Sequence, residues 1–209
     1  MKSRLILVFF LIFFLNEKGF TYPDCSSNIP FEEYQAKSSS EKYEIINPYL
    51  LSAYCEQDQE EYYIKSYFKA YESSNGVQDL LEELYRYSHR ANIDINSTDF
   101  FDFIIRVLHQ AKVHFKISNS NVIFAVINYN HLLYRKGFNE ACNYLTNEVD
   151  ASINNLPADV YSFFYLINSS KCAESANNFN ESIFFLMKAL ELSKRLPAPE
   201  NILRKGHIY

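Results

Sequence analysis

From about residue 41 onward, apolar side chains recur at intervals of three and four, the period of a helix with one buried face. No stretch alternates apolar and polar residues as a half-buried strand would. Asn47-Pro48 is a helix start, with proline at the first helical position, and Tyr49, Leu50, Ala53 and Tyr54 follow at helical spacing. Tyr62, Tyr63, Tyr67, Phe68 and Tyr71 carry the pattern to a stop at Ser74-Asn75-Gly76. Val77 to His89 sets Leu80, Leu81, Leu84 and Tyr85 on one face. After a connector at Asn92–Asn96, Ser97 or Thr98 caps a helix whose apolar face is Phe100, Phe103, Ile104, Val107, Leu108 and Ala111. Ser118–Asn121 breaks it. Helices are then expected over Val122–Lys136, with Gly137 as the stop, from Phe138 to about Asn154, from Pro157 to about Asn177, and over Phe179–Leu196. Short links between helices make neighbours antiparallel.

Composition supports this picture. The 209 residues hold only 4 Gly and 6 Pro, too few for the frequent turns of a sandwich or barrel. Hydrophobic residues make up 48%, enough for a sizeable core and against wholesale disorder. The 17 Tyr suit half-buried sites, where the ring packs and the hydroxyl stays wet.

The first residues read differently. Lys2 and Arg4 precede an unbroken apolar run, Leu5 to Leu15, and polar Asn16, Glu17 and Lys18 follow it. That run fits the apolar region of a signal peptide and is short of the roughly 20 residues that span a bilayer. Residues 1–21 are therefore read as a signal peptide, and the chain as exported, periplasmic or extracellular; an uncleaved anchor is the alternative. Residues 22–40, with Pro23, Pro30 and Ser38-Ser39-Ser40, read as a loose lead-in, residues 41–116 as an atypical N-terminal helical region, and 121–209 as the repeat-bearing part. The net charge is −5, and residues 1–21 hold three basic residues against one acid, so the remainder is more acidic still. An acidic domain without a basic cluster repels phosphate backbones, which argues against nucleic acid as a partner.

Cys25, Cys55, Cys142 and Cys172 form an even set in a chain read as exported, which permits two disulfides in three connectivities. Cys25–Cys55 and Cys142–Cys172, the pairs nearest in sequence, are the first expectation. Four reduced, buried cysteines are the alternative. No C-x-x-C is present.

Two passages repeat. Gly137-Phe138-Asn139-Glu140-Ala141 and Asn178-Phe179-Asn180-Glu181-Ser182 share Phe-Asn-Glu-small after a polar turn, 41 residues apart, and each lies between two helical patterns. Ala141-x3-Leu145 and Ser182-x3-Leu186 add a common spacing, Ala189 and Leu190 continue the last helix, and Ile202-x3-Gly206-x2-Tyr209 has the form of another opening. This pattern resembles the tetratricopeptide repeat over about residues 121–209. The resemblance implies an all-α fold of antiparallel helix pairs stacked as a right-handed solenoid; an irregular helical bundle is the alternative. It assigns repeat-turn packing to Gly137, Phe138, Glu140, Ala141, Phe179, Glu181, Ser182, Ala189 and Gly206. The aromatic would plug the space between paired helices, and the small residue three positions on would let them approach. Departures are Tyr129 and Ser170 at the position expected to be small in each first helix, and Glu148 where alanine is expected. The last repeat is incomplete.

No motif for catalysis or phosphate binding occurs: no G-x-S-x-G, G-x-x-x-x-G-K, G-x-G-x-x-G or H-E-x-x-H. His109 and His114 are five apart and point to different sides of one helix. Glu60-Glu61 and Glu82-Glu83 read as solvated faces. The sequons at Asn96, Asn168 and Asn180 read as chance matches. The expectation is therefore a non-enzymatic scaffold, with no cofactor, no metal and no catalytic residue. Its partner is a protein or peptide held on the concave face of the array. The geometry implied by the resemblance nominates Val126, Asn130 and Leu133 with Ile167, Lys171 and Glu174. Alternatives are the extracytoplasmic input region of a bacterial membrane sensor or transcription regulator, in which case the chain is a fragment, a helper of an exported hydrolase or peptidase, and a secreted effector. A membrane enters only through an uncleaved signal or a segment beyond this sequence.

Overall fold

Asparagine and aspartate side chains set where four helices of this protein begin. In the computed structural model, which describes residues 25–26, 29–42, 45–93, 98–149 and 155–196, every regular element is helical. In chain order these are α1 (Phe31–Ala36), α2 (Ser39–Lys42), α3 (Pro48–Cys55), a 3-10 turn (Gln57–Gln59), α4 (Glu60–Ala70), α5 (Gly76–Ile93), α6 (Thr98–His114), α7 (Val122–Lys136), α8 (Phe138–Asn147), α9 (Val160–Ser175) and α10 (Phe179–Ser193). The expected signal segment, Asn96, and Gly206 with the incomplete last repeat lie outside the described residues.

The caps are explicit. Asn47 Oδ1 accepts from the Tyr49 N–H at 3.0 Å, with Pro48 opening α3. Asn121 Oδ1 accepts from Phe124 N–H at 3.1 Å for α7, and Asp159 Oδ1 from Ser162 N–H at 2.7 Å for α9. Each such bond satisfies one of the four N–H groups that a helix start leaves without a helical acceptor. Helix ends are set by left-handed residues. Lys116 (φ 54°) and Asn177 (φ 59°) turn the chain so that Ile117 N–H donates to Lys112 O at 3.0 Å and Asn178 N–H to Ala173 O at 2.9 Å. Several boundaries differ from those read by periodicity. The helix α8 stops at Asn147 rather than Asn154. Asp159, not Pro157, starts α9. In place of a stop at Ser74–Gly76, α4 ends at Ala70 and Gly76 opens α5. The lead-in expected to be loose carries α1, whose Tyr34 is 5% exposed and whose Phe31 ring stacks at 4.5 Å on Tyr49.

The chain forms two compact units, one of residues up to Glu72 with Tyr87–Phe103, the other of Ser73–Arg86 with residues from Ile104 on. In the first, α3 packs on α4 and on α1, around Leu50, Ala53, Ile64, Tyr67 and Phe68. Tyr54 sets its ring on Phe100 at 5.2 Å. The Tyr87 hydroxyl accepts from Asn47 N–H and donates to Ile45 O, both at 3.0 Å. Cys25 is bonded to Cys55 at the end of α3.

In the second unit, α7 and α8 form one hairpin and α9 and α10 another. The first helix of the second hairpin, α9, also packs on both α7 and α8. Cys172 on α9 is bonded to Cys142 on α8, with Cα atoms 5.3 Å apart. Eight consecutive residues of α7, Val122–Tyr129, are buried, so that half of the helix has no solvent face. Phe124 meets the edge of the His109 ring at 6.2 Å and lies 5.2 Å from Lys112 Nζ, both on α6.

Candidate binding groove

The link between α7 and α8 is a single residue. Gly137 takes φ 91°, ψ 176°, a conformation open to glycine and closed to residues with a Cβ. Its N–H donates to Leu132 O at 3.0 Å, and its carbonyl accepts from Ala141 N–H at 3.3 Å. The chain therefore reverses at once, α8 packs on α7, and Ala141 on α8 and Tyr129 on α7 are both buried, at 0% and 2%. The second hairpin turns over Ala176, Asn177 and Asn178. Asn178 Oδ1 accepts from Glu181 N–H at 3.4 Å, and its Nδ2 donates to the Glu181 carboxylate at 2.6 Å. Glu181 therefore closes the turn from the surface. Ser170 and Ser182, one on each helix, meet with their hydroxyl oxygens 2.9 Å apart in the core. Ala189 is fully buried beyond them.

Aromatics at the two turns part company. Phe138 is half-buried, whereas Phe179 is 58% exposed and does not fill the space between α9 and α10 that the spacing assigned to it. On α10 the ring that goes inward is Phe185, at 8%.

The six nominated groove residues fall on α7 and α9, which pack side by side. Val126 is only 1% exposed. It belongs to the core, because α7 is enclosed on all sides along its first half, and it cannot touch a ligand. Asn130 and Ile167 are half-buried, and Leu133, Lys171 and Glu174 are exposed. The accessible face thus lies toward the C-terminal ends of both helices. Sequence reasoning missed Tyr134 there. It is 46% exposed, with the Arg135 guanidinium 5.4 Å from its ring centre. An aromatic directly after Leu132-Leu133 and before Arg135-Lys136 was the available signal.

Chemically, this face offers an amide that donates and accepts, the cations of Lys171 and, beside Tyr134, Arg135, the Glu174 carboxylate, and apolar area from Leu133, Tyr134 and Ile167. The tyrosine hydroxyls pushed far upward in pKa, Tyr144 and Tyr161, are buried in the helix packing; burial is the main cause, with Glu148 adding to it at Tyr144 and Glu82 at Tyr161. His109 is held below its usual value by burial and then by Lys112. Among the described residues no three His, Cys, Asp or Glu side chains gather in a way that could hold a metal ion, and no helix is long and apolar enough to cross a membrane. No family model, no curated protein and no solved structure matches this chain.

Proposed function

We propose that this protein is an exported, non-enzymatic scaffold of tetratricopeptide-like helix pairs that holds a peptide segment of a partner protein against the open ends of α7 and α9. The observation that carries this reading is a shared register in two successive hairpins. In each, a first-helix residue (Tyr129, Ser170) and a second-helix residue twelve positions on (Ala141, Ser182) are buried, and in the second hairpin they touch. First helices packed side by side add to it, since such stacking builds a continuous surface from separate repeats. An extended segment lying across Asn130, Leu133, Tyr134, Ile167, Lys171 and Glu174 would bond its backbone to the Asn130 amide. Its side chains would find one positive and one negative group. The apolar run at residues 5–15 and the two disulfides support export.

The test is selection of peptides from a random library on the immobilised protein, followed by replacement of Asn130, Lys171 and Glu174 with alanine together. Loss of at least tenfold in affinity is expected, with little change in thermal midpoint, because Lys171 and Glu174 are exposed and Asn130 is only half-buried. Unchanged capture by the triple variant removes the groove from consideration.

A further inference from the structure

The helices α8 and α10 begin with the same Phe-Asn-Glu-small run 41 residues apart, so they can be compared position by position. On α8, Cys142 is 9% exposed and bonded to α9, the helix that follows it in the chain. Its equivalent on α10, Ile183, is 55% exposed. Phe179, Phe184 and Met187 stand beside it at 58, 44 and 67%. With Ile183 they occupy positions i, i+4, i+5 and i+8, one continuous face of the helix. The opposite face, Ser182, Phe185, Ala189 and Leu192, is buried. Four large apolar side chains in one stripe differ from the scattered exposure of an ordinary surface. On α8 the Cys142 position is covered by α9, the helix that follows it in the chain; the residues that follow Leu196 lie outside the described residues.

The sequence that follows has suitable chemistry. Leu196 is 4% exposed, so the chain is still held to the core where α10 has ended. Pro197-Ala198-Pro199 comes next, and three residues can reach about 10 Å, the separation of two packed helices. Residues 200–209 then bring Ile202, Leu203, Ile208 and Tyr209, with Arg204 and Lys205 among them. Glu181 is exposed at the start of α10, and Glu191, beyond the stripe, lies 3.8 Å from Lys188. The tether favours this segment over a second copy: Leu196 fixes its start within reach of the stripe, where a short linker holds it at an effective concentration on the order of millimolar. We infer that the apolar stripe Phe179–Ile183–Phe184–Met187 is the docking surface for residues 200–209 of the same chain. The inference rests on the internal repeat and on burial, and stands or falls separately from the peptide groove.

The experiment places a photo-crosslinking p-benzoylphenylalanine at Met187 in the full chain and maps the products by mass spectrometry. The expected result is a link within one molecule to the peptide holding residues 200–209, at a yield independent of protein concentration. A link between two chains, or to any other part of the molecule, overturns the assignment. A second variant, Ile202→Asp with Leu203→Asp, is expected to abolish that link and to raise binding of an apolar fluorescent dye several-fold. Dye binding equal to that of the parent chain likewise overturns it.

Discussion

At the scale of single residues, two positions carry the geometry of the hairpins. Gly137 has no heavy atom within 4 Å of the place where a Cβ would sit, so a larger side chain meets no clash there. The cost of Gly137→Ala is purely the backbone conformation at φ 91°, and a loss of about 1–3 kcal/mol is expected from urea unfolding. An unchanged midpoint would show that the turn relaxes to another path. Ser170 tests the close approach of α9 and α10. Ser170→Ala leaves the Ser182 hydroxyl without its partner and is expected to cost about 1 kcal/mol. Ser170→Leu forces the helices apart and is expected to cost more, about 1–3 kcal/mol. Equal stability of the leucine variant and the parent would mean that the two helices do not rely on a small residue there. The sequence analysis named Ser170 only as a departure from the repeat pattern; the structure pairs it with Ser182, twelve residues on, the spacing that also separates Tyr129 from Ala141. That Tyr129 would also fit at such a position was not legible in the sequence, since it depends on how much room the neighbouring helices leave.

At the scale of elements, the helices and their starts were the most readable part of the chain. Asn47 and Asn121 are short polar residues next to apolar periodicity and cap through their own side chains, whereas at α9 the cap is Asp159 and not the Pro157 that the sequence pointed to. The ends were read less well. The end of α9 was read at about Asn177, where the left-handed residue lies, but α4 stops at Ala70 and α8 at Asn147, each several residues before the expected end and with no glycine or proline at the stop to mark it. The disulfide Cys142–Cys172 acts on elements too, because it joins the second helix of one hairpin to the first of the next across 30 residues of chain. Replacing both cysteines by serine frees the unfolded chain. On the chain-entropy account the stability of that unit is expected to fall by roughly 3–4 kcal/mol in denaturant unfolding. A change under 1 kcal/mol would place the stability in the helix packing instead.

At the scale of the molecule, the candidate site is narrower than the sequence suggested. The geometry implied by the repeat resemblance nominated Val126, Asn130 and Leu133 as equals. The enclosure of α7 by three helices, α6, α8 and α9, takes Val126 into the core and leaves the surface to Asn130 and Leu133. A consequence for binding follows: substitution at Val126 acts on folding, and only substitutions beyond it act on capture. The same scale explains Phe179. Local pattern sent it inward with Phe138, but the side of α10 on which it lies has no described neighbour, and Phe185 takes the inner position.

The sequence by itself determined that the chain is helical, where most helices start, and that two hairpins share a register. Those features follow from interactions a few residues long: apolar period, capping side chains and a glycine turn. Only the tertiary structure decided which apolar residues are covered, because burial depends on what packs from elsewhere in the chain. Thus Val126 and Phe179, equally apolar to a reader of the sequence, end at 1% and 58% exposure.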